Sequence, residues 1–124
     1  MSEKNKGRVE ETIRYLIAEA LLRRVKDPRV SAVSITSVEV SRDYSFARIM
    51  YNIVGGSGDL DNVKRGLDSC KGFIRSLLKG KLKTRVIPEL AFIYDESLDR
   101  AMKIENLIEK MHEEEKESSE EDGE

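Results

Sequence analysis

The apolar residues of this chain change spacing four times, and the order of the changes leaves few folds open. From Val9 they fall at Ile13, Leu16, Ile17, Ala20, Leu21 and Val25, steps of three and four that draw one stripe on a helix. Pro28 biases Asp27 out of the helical region, so this helix is expected to end near Lys26. Val33 and Ile35 then alternate with Ser34 and Thr36, and Val38 and Val40 continue in the opposite phase. That slip predicts either a β-bulge or a strand apolar on both faces. Past a polar turn at 41–45, Ala47, Ile49, Tyr51 and Ile53 point one way, and Phe46, Arg48, Met50 and Asn52 the other. The short connection predicts an antiparallel hairpin.

The glycines at 55–58 mark a loop, with Ser57 or Asp59 as the expected helix cap. Leu60, Val63, Leu67, Cys70, Ile74 and Leu77 form a second helical stripe. Gly66 and Gly72 weaken it by about 1 kcal/mol each relative to alanine, and Gly72, in mid-stripe, predicts a kink or two helices meeting at an angle. A third strand is expected at about 90–94. A last helix follows from near Ser97, carrying Leu98, Ala101, Met102, Ile104, Leu107, Ile108 and Met111. The predicted order is helix, strand, strand, helix–kink–helix, strand, helix. This is an α+β arrangement whose centre is the minimal core of a KH-type domain, where the joint of the paired helices meets nucleic acid.

At 124 residues the chain is expected to hold one domain with a real core, for which 39% hydrophobic residues suffice. Cys70 is the only cysteine, so no internal disulfide is possible. No apolar run approaches the roughly 18 residues that cross a membrane, and the first residues lack the apolar core of a secretion signal; the expected compartment is the cytoplasm. The 37% charged residues fit a heat-adapted source. The net charge of −2 conceals a split. Residues 112–124 carry eight acids and one lysine, while residues 1–111 carry 21 basic and 16 acidic groups, a net of +5. A folded domain over 1–111 and a disordered acidic tail over 112–124 are expected, the basic part pointing to a polyanionic partner.

The segment 70–95 is the most informative. On a continuous helix Lys64, Lys71, Arg75 and Lys79, separated by seven, four and four residues, form one ridge beside the apolar stripe. Lys81, Lys83 and Arg85 extend it, and Asp61 and Asp68 interrupt it. Gly72, without a Cβ, lets a phosphate or sugar approach the backbone. An ordinary solvated helix face is the alternative. The GxxG match at 55–58 precedes the helix instead of joining two, and reads as a turn. Cys70 falls in the stripe and reads as packing. Tyr44 and Phe46 are the aromatics placed off the core face, where they can stack on bases, although core or turn packing is the commoner role. His112 stands alone, and no constellation for a metal or for catalysis is found.

KDPRV at 26–30, ITSVEVSRDYSFARI at 35–49, GFIRSLL at 72–78 and IPELAFIYDESL at 87–98 resemble ribosome-binding factor A of bacteria over about residues 8–111. The resemblance implies a type II KH-like domain with a three-stranded sheet and helices on one face. It also implies a non-catalytic cytoplasmic factor that binds the immature small (30S) ribosomal subunit and precursor 16S rRNA, assists 5′-end processing and supports growth in the cold. The family carries an Ala-x-Gly kink where GxxG stands in other KH domains; here the place is taken by Cys70-Lys71-Gly72, with cysteine for the usual alanine. Asp27, Pro28, Arg29, Ser41, Arg42, Asp43, Pro88, Glu89, Leu90, Phe92 and Asp95 carry the family signature and read as architectural. RNA contact is thus expected from Lys64, Lys71, Gly72, Arg75, Lys79, Lys81, Lys83 and Arg85. No cofactor and no membrane is expected, the chain is expected to be a monomer, and other maturation factors remain open as partners. The rival reading is a protein-interaction module whose open sheet face or last helix binds another factor while the cations serve solubility.

Overall fold

The computed structural model describes residues 3–55 and 59–122, with side chains described over 5–55 and 59–116. Helix α1 (Glu3–Arg23) buries Ile13, Ile17, Ala20 and Leu21, the stripe read from its period. It closes as the Arg24 and Val25 amides both donate to the Ala20 carbonyl at 2.8 Å, slightly before the expected end. Asp27 then turns extended (φ −102°, ψ 116°) and caps a 3₁₀ turn over Pro28–Val30, which buries Val30.

Strands β1 (Val33–Val40) and β2 (Phe46–Ile53) form the antiparallel hairpin, and the phase slip is a bulge: the register shifts between Ile35 and Ser37. The extra residue brings Val38 and Val40 back to the face of Val33 and Ile35, opposite Ile49, Ala47, Ile53 and Tyr51. Strand β3 (Glu89–Tyr94) joins β2 in parallel, pairing Leu90 with Ala47 and Phe92 with Ile49, for a sheet order β1-β2-β3. One face of this sheet and α1 enclose the core. The other face is open, with Phe46 and Ile93 exposed. Tyr44 leaves the off-core placement expected of it and takes the commoner packing role: a positive φ of 61° folds the turn residue back, and its ring is buried.

Helix α2 (Leu60–Lys81) is capped by Asp59, whose carboxylate accepts from the Asp61 amide, and it runs uninterrupted through Gly72. Of the kink or pair of helices expected at Gly72, the pair is not found: α2 is a single helix there. Val63, Leu67, Cys70, Ile74 and Leu78 are buried in one helical period on both sides of Gly72, and that burial outweighs the roughly 1 kcal/mol a glycine costs. Gly66 has a different reason to be small. A Cβ there would lie 2.8 Å from Val30 Cγ1 and 3.0 Å from Arg29 Cβ, so glycine is what lets the 3₁₀ turn seat on α2. Ser57 and the rest of 56–58 lie outside the described residues; Gly55, at φ 88°, begins the turn.

Residues Asp95–Glu124 are a separate compact unit built on α3 (Ser97–Asp122). Its start was foreseen, but the disorder expected from His112 is not met over 112–122, which are helical. Glutamate and lysine are good helix formers, so local preference suffices without burial, and the side chains through Lys116 are exposed. No described helix is long and apolar enough to cross a membrane.

Candidate nucleic-acid interface

Because α2 is unbroken, spacings of seven, four and four bring Lys64, Lys71, Arg75 and Lys79 into one narrow sector of the helix. That sector flanks β3. The Arg75 guanidinium donates to the Ile87 carbonyl at 3.2 Å and the Pro88 carbonyl at 3.4 Å, and lies 3.7 Å from Glu89. Lys64 borders a cavity of roughly 300 Å³ with Tyr51, Leu67, Asp68 and Phe92. The four cations are unequally available. Arg75 is occupied by the chain leading into β3, and Lys71 sits 3.6 Å from Asp68 in an exposed pair that offers little competition. Lys64 and Lys79 are exposed and ion-pair with no described residue.

Lys81 and Lys83 do not extend this ridge. Lys81 lies two residues beyond Lys79, a turn of about 200°, which carries it to the buried side of α2. There it borders Leu16, Ala20 and Leu77 and also lines, with Lys83, a cavity of roughly 450 Å³ against the first half of α1. Arg8 lines that same cavity. Nothing in the sequence marked Arg8, because the approach of 81–84 to α1 is a long-range contact with no local signal. Arg85 is exposed in the irregular segment before β3. Gly72 is exposed, and a Cβ built there meets nothing within 4 Å, so packing makes no demand for glycine.

Cys70 is buried with its Sγ 3.4 Å from the Leu67 carbonyl, and burial pushes its thiol above the ordinary 9.0. It is therefore protonated packing at neutral pH and not a nucleophile. Tyr51 is fully buried against Tyr94 in an edge-on contact with ring centres 5.8 Å apart; burial, and then the charge of Asp68, raise its phenol. Of Tyr44 and Phe46, the two aromatics weighed for stacking, only Phe46 stays exposed, and it lies on the open sheet face, away from α2.

The signature residues hold joints. Arg29 clasps Asp27 at 2.6 Å, keeps its carboxyl below the ordinary 3.8, and reaches Ser69 Oγ on α2 at 3.4 Å; Pro28 begins the turn between them. Asp43 accepts from the Ser45 amide and from the hydroxyls of Ser41 and Ser45, closing the hairpin, while Arg42 is exposed. Pro88 is buried, Leu90 is core and Phe92 packs on it. Asp95 accepts from the Ser97 amide at the start of α3.

The family model for ribosome-binding factor A matches residues 5–108, every element from α1 into α3. The chain belongs to the ribosome-binding factor A family. The ribosome-binding factor A of Nitrosomonas europaea is 44% identical over 101 residues, covering 82% of this chain and 86% of that protein. That of Staphylococcus carnosus is 35% identical over 112 residues, covering 90% and 97%. The crystal structure of ribosome-binding factor A from Thermus thermophilus superposes with a TM-score of 0.64 over 72% of this chain and 94% of that one, at 20% identity, which fixes the KH-like fold. Coordinates of the Thermus thermophilus factor fitted into a cryo-EM map of its 30S complex match with a TM-score of 0.60, at 19% identity, covering 72% and 93%.

Proposed function

We propose that this protein binds the small ribosomal subunit during its maturation, through RNA contact along α2, and assists maturation of 16S rRNA, including its 5′ end, without catalysis. The observation that carries this reading is the alignment of Lys64, Lys71 and Lys79 on one unbroken helix, with bare backbone at Gly72 among them. Family membership supplies the class of partner. The cations meet phosphate and read shape, so a folded rRNA site is recognised and not a short sequence word. Lys64, Lys71, Lys79 and Arg85 are assigned to phosphates, with Lys81 and Lys83 contributing from the α1 side. Arg75 chiefly fixes the segment that leads into β3.

With about five phosphates neutralised, raising salt from 50 to 200 mM weakens binding to 30S subunits roughly 100- to 500-fold. The Lys64→Glu/Lys79→Glu variant keeps its fold and binds weakly at every salt concentration. Co-sedimentation measures both. Salt-insensitive binding by the wild-type protein, or a variant that binds as the wild type does, contradicts the reading.

The open sheet face favours a second reading. Phe46 is 61% and Ile93 40% exposed there, a modest apolar surface on which another protein can dock. RNase treatment before pull-down separates the two, since a protein-only contact survives it.

A further inference from the structure

Where α2 ends, the chain brings three cations from distant parts of the sequence to one concavity. Arg8 on α1, Lys81 on the last turn of α2 and Lys83 just beyond it line a cavity of roughly 450 Å³. Asn5 adds a neutral polar group, and Val9 and Leu82 supply apolar lining; among the described residues no carboxylate lines it. None of the three cations ion-pairs with a described residue, and Glu19, which lines the adjoining cavity with Lys81, makes no ion pair with it. The hydroxyls at this site are committed elsewhere, Thr12 Oγ1 to the Arg8 carbonyl and Thr84 Oγ1 to the Val86 carbonyl, both at 2.9 Å. The donors left to meet a ligand are therefore the three cations, with the Asn5 amide beside them.

A cleft lined by one sign of charge focuses field and draws counter-charge. Three uncompensated cations in a groove suit a repeating anion better than a lone carboxylate. The α2 ridge already gives this molecule a second surface of the same sign. Lys64 and Lys81 are seventeen residues apart on one helix, about 25 Å, and they face different sides of it. One phosphate cannot serve both.

We propose that the α1–α2 groove holds a second stretch of RNA backbone, with Arg8, Lys81 and Lys83 as its phosphate ligands, so that the protein spans two separated parts of a folded RNA. This rests on the reading of the α2 ridge as RNA-binding and extends it to α1. Contacts at two places explain how a domain of this size distinguishes a particular rRNA fold from any single strand, since a linear segment satisfies one surface at a time.

The test measures affinity for purified 30S subunits between 50 and 200 mM salt for the full chain. It compares wild type, Arg8→Gln/Lys83→Gln and Lys64→Gln/Lys79→Gln. Arg8, Lys83, Lys64 and Lys79 are exposed, so each variant is expected to melt as the wild type does. Each pair lowers the slope of log affinity against log salt by roughly 1.4 to 1.8, and the four changes together lower it by twice that. An Arg8→Gln/Lys83→Gln protein with wild-type affinity and slope overturns the groove while leaving the ridge standing. A wild-type protein whose binding ignores salt overturns the ridge and the groove together. Weaker binding at an unchanged slope also overturns the groove, because it shows that no phosphate contact was lost.

Discussion

Gly66 and Gly72 stand six residues apart on α2 and are glycine for different reasons. At Gly66 an added methyl meets Val30, itself buried, and overpacking of that kind costs about 1–3 kcal/mol against a helix-preference gain below about 1. At Gly72 it meets nothing. Gly66→Ala is therefore expected to destabilise the protein by about 1–2 kcal/mol in urea titration, and Gly72→Ala to stabilise it by about 0.5–1. On the proposed function, in which RNA approaches the bare backbone at Gly72, the more stable Gly72→Ala protein should nevertheless bind 30S subunits more weakly. Equal stability changes at the two positions would contradict this division. The sequence marked both glycines as weak points of the helix, but which one is packed depends on Val30 arriving from 36 residues upstream.

Element boundaries follow local chemistry closely. The bulge in β1 was readable because apolar period is a property of consecutive residues, and so were the hairpin, the Asp59 cap and the start of α3. In two elements a local rule meets a larger effect. The buried stripe of α2 carries the helix across Gly72, and the Glu-rich end of α3 stays helical without an apolar face to bury. The role of Arg75 belongs to this scale as well. Spacing places it on the ridge, but its guanidinium is spent on two carbonyls just before β3. Arg75→Ala is expected to cost about 1 kcal/mol and to loosen the start of β3, seen as faster amide exchange at Leu90. Arg75→Lys should restore little of this, since lysine lacks the planar fork. Normal exchange at Leu90 in Arg75→Ala would assign that arginine to the ridge instead.

At the scale of the unit that ends at Tyr94, the fold is a sheet with α1 and α2 on one face, and the cations lie along both sides of α2. The ridge was legible because one helix carries it. The groove was not, because half of it comes from α1. The central claim is that α2 presents its outer face to RNA, and the most direct measurement places a photocrosslinker on that face. Ser76, exposed one turn beyond Gly72, is replaced by p-benzoylphenylalanine, the protein is bound to immature 30S subunits, and the products are mapped after irradiation. Crosslinks to a confined set of 16S rRNA nucleotides are predicted. Crosslinks to ribosomal proteins alone would contradict the account.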